Sequence, residues 1–125
     1  MPINLQCLQV LVVDDNTHMR NLVRAILNAL DIGGLRECID GSDALEVLRT
    51  FPADLAIVDW MMEPLDGIDF LRLLRRPPDS PARYVGVIMM SGHSQADNVA
   101  QARDAGANEF VVKPISARTL YQRIV

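Results

Sequence analysis

Five short strand-like runs, most of them largely apolar, alternate with stretches whose apolar residues return every three or four positions, and this alternation constrains the fold more than any other feature. The runs are Leu8–Val13, Leu35–Ile39, Leu55–Val58, Tyr84–Met90 and Phe110–Val112, each of strand length. After the first, Met19, Leu22, Val23, Ile26, Leu27 and Leu30 stripe one face of a helix. Asn16 or Thr17 can cap its start, and Gly33-Gly34 lies past its end. Gly41-Ser42 opens a second helix carrying Ala44, Leu45 and Leu48, which stops before Pro52. A third spans Asp66–Arg75 with Phe70, Leu71 and Leu74 on one side, and the proline-dense stretch 76–81 cannot continue it. Ser94 is the expected cap of a fourth, about Gln95 to Ala105, with Asp97 as its capping-box partner. That helix is rich in alanine, which predicts the thinnest packing. Ala117, Leu120, Tyr121 and Ile124 stripe a fifth.

Strand–helix repeats whose strands read as apolar on both faces predict an α/β fold, a doubly wound parallel sheet with helices on both faces. With 125 residues, the chain suits one domain over 1–125. Twelve Lys plus Arg against 16 Asp plus Glu give a net charge of −4, which argues against direct nucleic-acid binding. Cys7 and Cys38 sit in apolar surroundings and read as buried free thiols rather than a disulfide framework. The N-terminus lacks the basic and apolar regions of a secretory signal, and no apolar run approaches a membrane span, so a soluble cytoplasmic protein is expected.

In open parallel sheets, ligands bind beyond the carboxyl ends of the strands. The first strand ends at Asp14-Asp15, the third at Asp59, the fourth at Ser91 and the fifth at Lys113-Pro114, where Lys113 is the only lysine in the chain. In the common order 2-1-3-4-5, the second strand and its Asp40 lie to one side. Three carboxylates at one edge repel, so at least one should hold its proton unusually tightly unless a cation is present. Carboxylate oxygens with room for water suit Mg²⁺. A carboxylate beside Mg²⁺ is a possible nucleophile toward phosphorus. Lys113 and the Ser91 hydroxyl would then neutralise and bind the phosphoryl oxygens.

The stretches VLVVDDN (10–16), IVDWMM with a later DG (57–67), IMMSGH (88–93) and FVVKP (110–114) resemble the receiver domain of bacterial response regulators. The resemblance covers essentially the whole chain. It implies a flavodoxin-like fold with strand order 2-1-3-4-5, and Asp59 as acceptor of a phosphoryl group from a sensor histidine kinase or histidine phosphotransfer protein. It implies Mg²⁺ bound by Asp15, Asp59 and the Met61 backbone carbonyl, with Asp14 acting through water. Ser91 stands at the switch-hydroxyl position, Phe110 at that of the rotating aromatic, and the Lys113–Pro114 bond is expected to be cis. One departure is visible. Many relatives have proline four residues after the phosphoacceptor, where this chain has Glu63, followed by Pro64.

Phosphorylation adds charge and strong acceptors, and Ser91 can reach them by moving its loop toward Asp59, leaving space for Phe110 to turn. The expected result is a population shift. The expected output face is the fourth helix, fifth strand and fifth helix, with Gln101, Asp104, Arg118 and Tyr121 as candidate contacts to a downstream protein. His18 and His93 lie near the acidic edge and read as loop histidines. Trp60 and Met61 read as walls of the site, and Met62, Met89 and Met90 as core or rim packing. Two rival functions are an aspartyl-phosphate phosphohydrolase and a phosphorylation-independent binding module. The first usually has an acid two residues after its nucleophile, where this chain has Met61. The second would typically lack one of the acidic, hydroxyl or lysine positions, and all are present. No Gly-rich phosphate loop follows the first strand, which disfavours a nucleotide-binding domain. A stand-alone regulator, a phosphorelay member and a piece of a longer regulator are all compatible with this reading.

Overall fold

A computed structural model describes residues 5–62, 65–76, 85–92, 96–113 and 116–124. The apolar runs form β1 (Gln9–Val13), β2 (Gly34–Cys38), β3 (Leu55–Asp59), β4 (Gly86–Ser91) and β5 (Glu109–Val112). All neighbours pair in parallel, in the order β2-β1-β3-β4-β5. The helices are α1 (Thr17–Ala29), α2 (Gly41–Val47), α3 (Gly67–Arg75), α4 (Ala96–Ala105) and α5 (Ala117–Ile124).

Alternation along the strands divides their side chains between two cores. Val10, Val12, Ile57, Ile88, Met90 and Val111 pack with Val23, Ile26 and Leu27 of α1 and Leu120 of α5. On the other face, Leu11, Val13, Ala56, Val58, Val87 and Met89 pack with Ala44 of α2, with Ile68, Phe70, Leu71 and Leu74 of α3, and with Ala102 of α4. The sheet is therefore clad on both sides, and its ligand-binding edge is left to the loops.

Helix starts are fixed by side-chain caps. Asn16, rather than Thr17, caps α1 and accepts from the Met19 amide at 3.1 Å. Asp40 and Asp66 cap α2 and α3, each accepting at 2.8 Å from the amide three residues on. Gly106, with φ of +116°, follows α4 in the left-handed region that favours glycine.

Several expectations need correction. Only the three central strands are apolar on both faces. β2 and β5 are edge strands, each with a single buried residue, Cys38 and Val111. Ile39 lies beyond the end of β2 and is 55% exposed. Cys7 falls in a 3-10 turn, Leu5–Cys7, and is exposed, so only Cys38 is a buried thiol. On α5, Leu120 is buried but Ala117 and Tyr121 face outward, because this short helix covers only the margin of the sheet. Met62, Met89 and Met90 are buried as expected, whereas the Met61 side chain is exposed. Ala102 is the one buried side chain among those described on α4, in keeping with thin packing there. The expected start of the fourth strand at Tyr84, the proline-rich stretch from 77 on, the Ser94 cap and the Asp97 side chain lie outside what is described.

Candidate functional site: an acidic cluster at the carboxyl edge

The sheet ladder delivers the acids to one place. The Asp14 amide donates to the Cys38 carbonyl at 3.1 Å, extending the β1–β2 ladder one residue past Val13. Asp14 is fully buried, and its Oδ1 accepts from the Asn16 amide at 2.9 Å. Asp15 follows and is exposed. Asp59 is the last residue of β3, paired in register with Met90, and is 4% exposed. Carboxylate oxygens of Asp14, Asp15 and Asp59 all lie within 4.8 Å of one another.

Lys113 reaches this cluster for the same reason. Its amide donates to the Ser91 carbonyl at 2.7 Å, carrying the β4–β5 pairing past Val112. Its Nζ stands 2.8 Å from Asp59 Oδ1 and 3.8 Å from Asp14 Oδ2. Three carboxylates and one ammonium leave the cluster negative. Burial pushes the Asp14 carboxyl above its ordinary range, and the Asp59 and Asp15 charges add to this against the Asn16 amide and Lys113. Burial also raises Asp59, opposed by its hydrogen bond and ion pair with Lys113 and by the Met61 amide.

A hard divalent cation fits this donor set. All three side chains offer oxygen, the ligand type Mg²⁺ prefers. Asp14 Oδ2 is buried and has no hydrogen-bond partner among the described residues. Lys113 Nζ, 3.8 Å away, is beyond hydrogen-bond reach, so this buried oxygen is open to a bridging water or a cation. Beside the cluster, Asp15, Met61, Met62 and Asp66 line a cavity of about 340 Å³, so Met61 forms part of the rim.

Ser91 is buried at the end of β4, in register with Val112 and one residue beyond the level of Asp59. Phe110 is half-buried and meets Trp60 edge-on, with centroids 6.2 Å apart and planes at 77°. Trp60 adjoins Asp59, and its amide donates to the Met90 carbonyl at 2.9 Å. The structure thus brings Asp14, Asp15, Asp59 and Lys113 together, with Ser91 at the same edge and Phe110 one contact behind. His18 is exposed at the start of α1. Glu63, His93 and Pro114, with its expected cis bond, lie outside the described residues.

Gln101 and Asp104 are not placed as expected. They line, with Arg72, Arg75 and Arg76, a groove between α3 and α4. The groove bounded by Val99, Arg103, Phe110 and Arg123 lies on the other side of α4. Sequence reasoning also missed two groups near the cluster. Asp66, which the sequence places only at the start of the third helix, borders the cavity beside Asp15. Arg20 donates to the Asp14 backbone carbonyl at 2.7 Å, a contact whose only sequence trace is an arginine one helical turn into α1.

The sequence matches the response regulator receiver domain family over residues 10–125. The chemotaxis protein CheY of Pseudomonas aeruginosa is 33% identical over 117 residues, covering 94% of this chain and 93% of that one. CheY4 of Vibrio cholerae superposes with a TM-score of 0.85 at 24% identity, over 94% of this chain and 95% of its own, a likeness of fold. A CheY of Borrelia burgdorferi, solved in a CheX-CheY-BeF3-Mg complex, superposes with a TM-score of 0.83 at 26% identity, over 94% and 86% of the two chains. No described helix is long and apolar enough to cross a membrane. Neither rival function gains support from these relatives, and the chain belongs to the response regulator receiver domain family as a phosphorylation-activated signalling switch.

Proposed function

We propose that Asp59 is the phosphoacceptor, and that residues 1–125 work as one receiver unit. The observation that carries this is the Lys113 ammonium, 2.8 Å from Asp59 Oδ1 in a cluster that also holds Asp14 and Asp15. In the transfer, a carboxylate oxygen of Asp59 forms the new O–P bond as the N–P bond to the donor's phosphohistidine breaks, and the electron pair returns to the imidazole. The donor is a sensor histidine kinase or a histidine phosphotransfer protein. Asp15, Asp59 and the Met61 carbonyl would hold Mg²⁺, with Asp14 acting through water. When bound, the metal supplies positive charge to the phosphoryl oxygens. Lys113 is positioned as a point charge on a second phosphoryl oxygen, and the Ser91 hydroxyl as a donor to a third. Self-catalysed transfer from small phosphodonors and autodephosphorylation follow from the same set.

The signal leaves through α4, β5 and α5. Ser91 moves to the new acceptors, and Phe110 turns into the space behind it. Phe110 suits this role because it touches Trp60 beside Asp59 and also lines the groove of about 240 Å³ between α4 and the β5–α5 elements. Val99, Val112 and Tyr121 are exposed on these elements and supply apolar contact area for a downstream protein. The Borrelia relative's complex with CheX supports a protein partner for this chain, and its Mg supports the metal. The test is exposure to acetyl phosphate with Mg²⁺, followed by intact-mass measurement. The wild type should gain one phosphoryl group and Asp59→Asn none; labelling of another residue would remove Asp59 from the role.

A further inference from the structure

Arg20 makes the one described side-chain contact to the backbone carbonyl of Asp14, the peptide that joins the two N-terminal acids of the cluster. Its Nη1 donates to that carbonyl at 2.7 Å, and its Nη2 donates to Thr17 Oγ1 at 3.1 Å. Its Nε lies 3.8 Å from Glu37 Oε1, with the arginine side chain only 16% exposed. Glu37 is anchored in turn: it lies on β2 in register with Val12 of β1, and its Oε2 accepts from Arg24 Nη1 at 3.0 Å. One guanidinium therefore joins the start of α1, the end of β1 and the neighbouring strand.

The consequence follows from peptide planarity. The Asp14 carbonyl oxygen, the Asp15 nitrogen and the Asp15 Cα share one plane, so holding the oxygen fixes the direction in which Asp15 leaves the strand. Asp15 is exposed and has no described hydrogen bond of its own to set its carboxylate. Without the strut, the exposed acid would be free to swing away from Asp14 and Asp59, whose mutual repulsion favours such a departure. We propose that Arg20 is a positioning residue for divalent-metal binding, acting through the Asp14–Asp15 peptide rather than touching the ion. This deepens the phosphoacceptor reading and rests on it for the identity of the metal.

The test is titration of the full chain with MgCl₂, followed through Trp60 emission, on the wild type, Arg20→Met, Arg20→Lys and Arg24→Met. Groups that orient metal ligands typically change metal affinity by about 10–100-fold when removed. Arg20→Met should weaken Mg²⁺ binding by at least about tenfold. Arg20→Lys should recover much of the loss, since an ammonium can still donate to the carbonyl. Arg24→Met removes the other Glu37 ion pair without touching the loop. Its thermal midpoint in EDTA should fall while its Mg²⁺ affinity stays at the wild-type value. If Arg20→Met does not fold, the lysine variant carries the test, with a weakening smaller than tenfold but larger than that of Arg24→Met. Equal affinities in the wild type and the Arg20 variants would overturn the inference and leave the phosphoacceptor reading standing. Failure of the wild type to bind Mg²⁺ would overturn both.

Discussion

Asp14→Asn should stabilise the metal-free protein, and by more than Asp59→Asn does. Both acids are buried, both lie within 4.8 Å of the other two carboxylates, and both have raised pKa values. A raised folded-state pKa means the folded protein holds the proton more tightly than the unfolded chain. The contribution to stability is therefore fully present below the ordinary value of 3.8 and is lost as pH rises through the higher folded values. At neutral pH each ionised acid is a net cost, and an isosteric amide removes it. The two differ in what they lose. Asp59 stands 2.8 Å from the Lys113 ammonium and Asp14 stands 3.8 Å from it; at an effective dielectric of about 20 these pairs amount to ~6 and ~4.4 kcal/mol. Repulsion from both Asp59 and Asp15 acts on Asp14 as well, in the same direction as this difference. Asp14→Asn should thus exceed Asp59→Asn by about 1–1.5 kcal/mol, or very roughly 4–6 °C in Tm for a domain of this size. Thermal unfolding in EDTA across pH 4–8 is the assay. The wild type should lose stability with rising pH more steeply than Asp14→Asn. Saturating Mg²⁺ should lift the wild type above both variants, since ligation at 100 times Kd adds about 2.7 kcal/mol to whichever protein binds it. An Asp14→Asn protein less stable than the wild type in EDTA, or less stable than Asp59→Asn, would refute this electrostatic reasoning.

Other substitutions separate scaffold from chemistry. A Cβ on Gly67 would stand 2.7 Å from Met89 Sδ and 2.8 Å from the Asp59 carbonyl oxygen, so Gly67→Ala should cost about 1–3 kcal/mol in denaturant unfolding and disturb Mg²⁺ binding as well. Lys113→Met should leave Mg²⁺ binding in place or strengthen it while slowing labelling by acetyl phosphate about 10²–10³-fold, as loss of an aligned charge-stabilising donor does. Ser91→Ala should still accept the phosphoryl group but lose most of the phosphorylation-dependent change in partner affinity, which for coupled sites is typically about 5–150-fold.

The readable parts of this chain are those where one face must be dry. β1, β3 and β4 are buried on both sides, so their apolar runs are clear in the sequence and their ends, Asp14, Asp59 and Ser91, align at one edge from the pattern alone. The edge strands were harder. Only Cys38 of β2 and Val111 of β5 are buried, so neither boundary is sharply marked by hydrophobicity, and Ile39 reads as part of β2 although it faces solvent. α4 carries little apolar periodicity, and nothing in its pattern said that Gln101 and Asp104 look toward α3. Cys7 lay beside an apolar run but belongs to a short turn on the surface. The Arg20 contact was invisible for a different reason. A long side chain returning to a backbone carbonyl leaves no periodic trace, because every residue offers the same acceptor.

A cation-assisted switch of this kind requires Asp59 as its nucleophile. Peptide mapping of the protein after brief exposure to acetyl phosphate and Mg²⁺ tests this most directly. A single phosphoryl group on Asp59, absent when EDTA replaces Mg²⁺, is the result expected from the geometry of Lys113 and the three acids. A phosphoryl group found elsewhere, or unchanged labelling without the metal, would contradict it.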